Sequence, residues 1–340
     1  MQERYKQMLD NLEQQVETKE ELKLNDRVLI IDSLNAFIRS FTVINHINKH
    51  NHHIGGLTGY LKSLGYAINL IRPTRVILVF DGQGGSTNKR YLYPEYKANR
   101  GYRRVTNWDL FESQEQESES ITNQLLRLID YLKCLPVDLL SIDKIEADDV
   151  IGALVGKLDG EVTIVSSDRD YLQLVNDKVT VYSPIKKKFY QYKQVVEEYG
   201  VTPQNFLNQK VLLGDSGDNV PGIKGLGIKT ITKMYPELAD DEVMTLDEII
   251  TKAKNSNGKS FESVGNFESQ LRINEKLMDL RNPNIPEDSE LEIDYVLENP
   301  TKTFNPKEFA KLYEEDDLGK SIANLQVWLW EKFNILSKYK

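Results

Sequence analysis

The stretch VDLLSIDKIEADDVIGALVGKLDGEVTIVSSD, residues 137–168, reads as strand, helix and strand in succession. VDLLSID (137–143) and EVTIVSSD (161–168) are short, continuous apolar runs rich in β-branched residues. Between them Ala147, Val150, Ile151, Leu154, Val155 and Leu158 recur at helical spacing and share one broad face. A strand, a crossover helix and a further strand make a parallel unit. Outward from this unit the same grammar repeats. RVLIID (27–32), RVILVFD (75–81) and VTVY (179–182) are strand-length, and 57–72 and 121–134 have helical periodicity. The runs are continuous rather than alternating, as in strands buried on both faces. The spacing predicts an α/β fold with a mostly parallel twisted sheet flanked by helices.

Past about residue 185 the strand signal stops. Residues 192–300 read as helices and turns, with Gly and Pro gathered in 214–227. Residues 305–340 carry two more helical patterns, and VWLWEKFNIL (327–336) reads as a final packed helix. Residues 1–24 read as a helical extension, with Tyr5, Met8, Leu9, Leu12 and Val16 on its apolar side. The acidic tract DLFESQEQESES (109–120) reads as a solvated helix face or a loop. The expected organisation is an extension (1–24), a core (25–190) with a projecting region (82–120), a helical region (191–300) and C-terminal helices (301–340).

The totals exclude several classes. Of 340 residues, 40% are hydrophobic and 28% charged, which suits a water-soluble chain with a sizeable core. The longest apolar runs are strand-sized, so no membrane span or membrane partner is expected. The polar N-terminus lacks the apolar stretch of a secretory signal, and a cytoplasmic location is expected. Cys134 is the sole cysteine, and the four histidines (His46, His50, His52, His53) crowd one short stretch that reads as a loop, so a zinc site is not expected. The net charge of −9 argues against nucleic acid only if the acids are spread evenly.

They are not spread evenly. Three strands end in acids: Asp32, Asp81, and Asp168 followed by Asp170. Ligands of an open parallel sheet bind outside the carboxyl ends of its strands. Glu146, Asp148 and Asp149 open a helix at the same edge. Asp215 and Asp218, in LLGDSGDNVPG, would complete a set of nine by folding back over it. Taken singly, an Asp after a strand is often a turn residue or helix cap. Together the nine would repel one another and raise one another's pKa unless divalent cations neutralise them. All-oxygen donors point to Mg²⁺, with Mn²⁺ as a substitute. Two such ions about 3.5–4 Å apart are the usual device for in-line displacement at phosphorus.

Residues 82–108 carry Lys89, Arg90, Lys97, Arg100, Arg103 and Arg104 against one acid, Glu95. Tyr91, Tyr93, Tyr96, Tyr102 and Trp108 are interleaved. Cations with aromatics suit a phosphate-rich single strand. VPGIKGLGIKT (220–230) resembles a P-loop at first, but Ile228 stands where that motif needs Lys and no strand precedes it. The better reading is a hairpin between two short helices. Gly222, Gly225 and Gly227 would make the turn, Lys224 and Lys229 add charge, and Thr230 adds a hydroxyl facing a phosphate.

IEADD, SSDRDYLQL and GDSGDNVPGIKGLGIKT, in this order, resemble the signatures of the structure-specific 5′-nucleases, which include flap endonucleases and the 5′–3′ exonuclease domains of bacterial polymerases. The likeness runs from about residue 26 to 235. YLYPEYKANR is similar to that family's arch or clamp. GYRRVTNWDLFES and the C-terminal part look most like the branch represented by the ribonuclease H of T-even-like bacteriophages, although this chain keeps a full glycine hairpin. The resemblance implies a PIN-like core and one ion around Asp32, Asp81, Glu146 and Asp148. It places a second ion near Asp149, Asp168, Asp170, Asp215 and Asp218. It also implies that Lys97 and Arg100 touch the scissile phosphate and Tyr96 stacks on a base. The 220–230 segment becomes a helix–hairpin–helix that grips duplex backbone and can hold K⁺.

The expected function is therefore a two-metal 5′-nuclease, a monomer acting in DNA replication. Its substrates would be 5′ ends, flaps or RNA primers of branched or nicked duplex DNA and RNA–DNA hybrids. A single-strand-binding protein or sliding clamp would be its partner on family grounds. The competing readings are a catalytically silent nucleic-acid-binding protein, which predicts missing carboxylates, and a P-loop nucleotidase or kinase, which Ile228 opposes. A PIN-type ribonuclease would lack the glycine hairpin.

Overall fold

The computed structural model describes residues 22–101, 106–107 and 109–339. Residues 1–21 of the expected extension (1–24), and Tyr102, Arg103, Arg104 and Trp108, lie outside the described residues.

Five parallel strands make the sheet: β1 (Arg27–Asp32), β2 (Arg75–Asp81), β3 (Asp138–Ile142), β4 (Glu161–Val165) and β5 (Val179–Ser183). A sixth, β6 (Lys188–Tyr190), runs antiparallel to β5, giving the order β3-β2-β1-β4-β5-β6. The sequence reading missed β6. It is three residues long and only Tyr190 is buried, so it carries no apolar run to detect. The chain builds outward from β1 through β2 to β3, then returns to lay β4 on the other side of β1. The order reverses between β1 and β4, which opens a crevice at their carboxyl ends.

Each strand feeds two cores because successive side chains point to opposite faces. Val28 and Ile30 face one apolar layer; Leu29 and Ile31 face the other. In chain order the first helices are α1 (Ser33–Val43), α2 (Gly55–Ile71), α3 (Thr87–Leu92), α4 (Gln114–Lys133) and α5 (Ala147–Lys157). Next come α6 (Tyr192–Tyr199), α7 (Phe206–Leu213), α8 (Ile228–Met234), α9 (Leu246–Lys254), α10 (Lys259–Asn266), α11 (Glu268–Met278) and α12 (Glu287–Glu298). α13 (Pro306–Glu315) and α14 (Leu325–Phe333) follow. α5 buries Val150, Ile151 and Leu154 in the layer that extends through α6–α12. α1, α2, α4, α13 and α14 pack in the other, where Phe309, Leu329 and Phe333 are fully buried or nearly so. Among the described residues no helix is long and apolar enough to cross a membrane.

The acidic tract needs correction. α4 begins at Gln114, capped by Ser113, and Glu115 and Glu117 occupy its favourable first turn. Glu117 is not solvated. It is buried and accepts hydrogen bonds from the backbone N–H groups of Thr106 at 2.8 Å and Asn107 at 3.3 Å. The histidine stretch is a loop, as expected, except that His53 is buried between Phe41 and Phe111.

At the amino end of the sheet, buried Arg75 pairs with buried Asp138 at 2.7 Å. Arg75 also donates to the carbonyls of Val296 (2.7 Å) and Leu297 (3.0 Å), and Asp138 accepts from the Thr301 N–H at 2.6 Å. The pair ties the end of α12 to β2 and β3. Asp138→Ala should cost about 3–5 kcal/mol, because it leaves a buried guanidinium uncompensated. Urea unfolding checks this; a loss below about 1 kcal/mol would mean the carbonyls alone satisfy Arg75.

Candidate active site

The carboxyl ends of the strands surround a cavity of about 430 Å³. Eight of the nine expected carboxylates line it: Asp32, Asp81, Glu146, Asp148, Asp168, Asp170, Asp215 and Asp218. Asp149 lies behind them, one residue further into α5. Lys97 and Arg100 complete the wall.

Each acid is held by a local device. Asp32 ends β1 and caps α1. One of its oxygens accepts from the Asn35 N–H at 3.3 Å, the other from the Ser166 hydroxyl at 3.1 Å and the Tyr171 hydroxyl at 3.2 Å. Burial, and then the nearby Asp81, push its pKa up to about 6. Asp81 ends β2 and accepts the Ala147 N–H at 3.0 Å, so the start of α5 is aimed at it. Burial raises Asp81 as well. Asp168 follows β4 and accepts the Asp170 N–H at 2.9 Å. Burial also raises Asp168, pushes Asp149 up to about 7, and together with Asp168 takes Asp170 to about 7.

Glu146 behaves differently. Burial works to raise it, but the ammonium groups of Lys89 and Lys97 prevail and hold it down to about 2. It also accepts from the hydroxyls of Ser86 and, at 2.8 Å, Tyr96. Burial likewise opposes Lys210 at Asp215, and the lysine prevails, lowering that pKa.

The two distant acids reach the crevice through the loop after α7. Gly214 has a left-handed backbone (φ 70°), and Asp215 bridges to Val220. Asp215 accepts the Gly217 N–H at 2.8 Å and faces Lys210 at 2.8 Å. Asp218 pairs with Arg100, lies 3.9 Å from Lys97 and accepts from the Tyr96 hydroxyl at 3.2 Å. The basic segment docks on this loop: the Lys97 N–H donates to the Asp218 carbonyl at 2.8 Å, and Asn99 to the Ser216 carbonyl at 3.0 Å. Lys97 adopts φ 56°, which a residue with a Cβ occupies at a cost of about 1–2 kcal/mol. The docking holds that turn and directs the ammonium onto Glu146.

The remaining expected residues separate. Arg90 is exposed, its guanidinium donating to the Tyr96 carbonyl at 3.2 Å. Tyr96 is only 3% exposed, so its ring is closed to a stacking base in this state. Lys89 turns into the acids rather than outward, at 3.0 Å from Asp149. The hairpin joins α7 to α8. Gly225 is left-handed (φ 82°), and a Cβ on Gly222 would lie 1.9 Å from the Leu213 carbonyl oxygen. Lys224, Gly227 and Lys229 are exposed, and Thr230 is half-buried in α8.

Sequence reading missed four supports: Ser86, Ser166, Tyr171 and Lys210. Lys210 lies 2.7 Å from Asp170 and 2.8 Å from Asp215. Its signal was a lone lysine four residues before Gly214 in an otherwise apolar turn of helix. Chemically, the donor set is all oxygen. Glu146, Asp148 and Asp149 each offer a carboxylate oxygen within 4.8 Å of the others, the arrangement a small hard dication needs.

A family model described as the 5′–3′ exonuclease, N-terminal resolvase-like domain, matches residues 27–200. The 5′–3′ exonuclease of Bacillus subtilis (strain 168) is 30% identical over 262 residues, which are 74% of this chain and 83% of that protein. The 5′–3′ exonuclease of Buchnera aphidicola subsp. Schizaphis graminum is 31% identical over 211 residues, 60% of this chain and 67% of that protein. In fold, the chain is similar to the flap endonuclease of bacteriophage T5, solved as a pseudo-enzyme–product complex with DNA and metal ions. The TM-score is 0.62 at 20% identity, over 86% of this chain and 99% of that one. With a model that spans more than half of it and a relative this similar over most of its length, the chain belongs to the 5′–3′ exonuclease family of hydrolytic 5′-nucleases.

Proposed function

We propose that this protein is a divalent-metal-dependent 5′-nuclease that hydrolyses phosphodiester bonds at 5′ ends, flaps or primer junctions of duplex nucleic acid during replication. The observation that carries the reading is the convergence of eight carboxylates on one cavity whose wall also holds Lys97 and Arg100. A silent binding protein would have no use for that charge, and none of the nine acids is replaced.

The residues proposed for one ion are Asp32, Asp81, Glu146 and Asp148, joined by Asp149, which lies within 4.8 Å of Glu146 and Asp148; those proposed for the other are Asp168, Asp170, Asp215 and Asp218. Mg²⁺ suits an all-carboxylate set, and Mn²⁺ should substitute. Bound there, such ions would activate water and neutralise charge at phosphorus. The chain's own part is positional and electrostatic. Ser166, Tyr171 and the Ala147 N–H fix the rotamers of Asp32 and Asp81 before any substrate arrives. Lys97 and Arg100 would turn from Glu146 and Asp218 to the phosphate, offsetting charge that grows on its oxygens. The exposed Lys224 and Lys229 of the hairpin would take duplex backbone, with K⁺ at the turn's carbonyls belonging to the same reading. Nicked or branched DNA and RNA–DNA hybrids are the substrates proposed. A single-strand-binding protein or sliding clamp is proposed as partner on the family alone.

Cleavage of 5′-labelled flap, nicked and RNA–DNA substrates with Mg²⁺, Mn²⁺ or EDTA tests the whole reading; turnover that survives EDTA would refute it. Asp81→Asn and Asp168→Asn should abolish cleavage yet retain substrate binding in a mobility-shift assay. Unchanged turnover in either removes that residue from the machinery. Lys97→Ala should slow single-turnover cleavage by about 10²–10³ while changing Kd little; a loss of affinity alone would make it a backbone contact.

The raised pKa values set a pH dependence. Asp32, Asp149 and Asp170 favour the protonated form in the fold, so each stabilises it fully below the unfolded value of 3.8. That stability is lost as pH rises through about 6–7. Glu146 and Asp215 have the opposite sign but act only below pH 4.5. In EDTA, melting temperature should therefore rise from about pH 7.5 to about pH 5.5. Cleavage at limiting Mg²⁺ should fall over the same interval, because protons compete for the site. A metal-free melting curve that drops on acidification would contradict the assignment.

A further inference from the structure

Lys89 lies in α3, directly after the loop that leaves Asp81. A lysine that met nucleic acid from there would point to solvent. Instead its side chain is 10% exposed and its ammonium turns inward onto the acids at the start of α5, 3.2 Å from Glu146, 3.2 Å from Asp148 and 3.0 Å from Asp149. Among the described residues, those three carboxylates are the group whose oxygens approach closely enough to share a cation. Lys97 differs, for it reaches Glu146 but neither Asp148 nor Asp149. The Lys89 ammonium thus stands where a small dication bound to all three acids would stand.

We propose that Lys89 is a tethered counter-ion: it holds the Glu146, Asp148 and Asp149 cage together in the metal-free protein and is displaced when a divalent cation enters. The inference rests on the metal-dependent reading of the site. Its physical basis is competition for the same oxygens. A dication binds carboxylate oxygen at about 2.0–2.1 Å, and an ammonium held near 3 Å from the same groups would be driven off by like charge. Without Lys89 the three clustered acids would repel one another whenever no ion is bound. Lys89 therefore lowers the apparent metal affinity and protects the fold in the metal's absence. A lysine with a purely structural role would keep its contacts in both states.

The test uses Mn²⁺ as the probe on the full-length protein and its Lys89→Met variant. Calorimetric titration should show the variant binding Mn²⁺ more tightly, on the order of tenfold. Thermal melts in EDTA should place the variant several degrees below the unsubstituted protein, with the gap closing in Mn²⁺. Amine acylation followed by mass spectrometry, on the unsubstituted protein, should find Lys89 protected in EDTA and labelled in Mn²⁺. Equal Mn²⁺ affinity in the two proteins, with Lys89 equally protected in both conditions, would overturn the proposal while leaving the metal site intact. If neither protein binds Mn²⁺, the metal reading itself falls and takes this one with it. Should the variant fail to fold, the labelling result decides alone.

Discussion

The controlling constraint is electrostatic. Nine carboxylates are gathered around one small crevice: Asp32 and Glu146 are buried, and Asp81 and Asp168 stay exposed at its mouth. Such a gathering is unfavourable unless positive charge and N–H dipoles are built in around it. The structure supplies both. The N–H groups of Asn35, Ala147, Asp170 and Gly217 face individual carboxylates. Four cations, Lys89, Lys97, Arg100 and Lys210, are threaded among them.

The rest of the architecture follows from that need. A parallel sheet whose order reverses beside β1 delivers Asp32, Asp81 and Asp168 to one edge, and the start of α5 adds three more acids. The loop after α7 then has to return across the edge. The left-handed Gly214 and the close approach of Gly222 to the Leu213 carbonyl let it do so. The basic segment is pinned to that loop through the Lys97 N–H and Asn99. One short tract thus carries two of the acids proposed to face metal and the docking surface for the cations proposed to face the phosphate, which couples the two halves of the proposed chemistry mechanically.

Much of this was legible in the residues themselves. The five parallel strands, α5 and the edge carrying the acids could be read from apolar runs that end in Asp, because burial on both faces and the helical period are local patterns. β6 was not legible, since three residues with one buried ring carry no period. The buried side of the acidic tract was hidden too. Glu117 looks like its solvated neighbours until Thr106 and Asn107 are brought against it.

The inward turn of Lys89 and the bridging role of Lys210 were likewise invisible. A lysine in a basic tract and a lysine in an apolar helix have the same composition whether they face water or a carboxylate. What the amino-acid sequence determined alone is the chemistry available at the sheet edge and the order in which the strands present it. What only the tertiary structure decided is which charge neutralises which, and whether Tyr96 is open to a base or closed over Glu146. The contacts of Lys89, Tyr96, Lys97 and Arg100 join residues 49 to 122 positions apart, and through-space distance, which sets the strength of a Coulomb interaction, is not encoded by any local pattern.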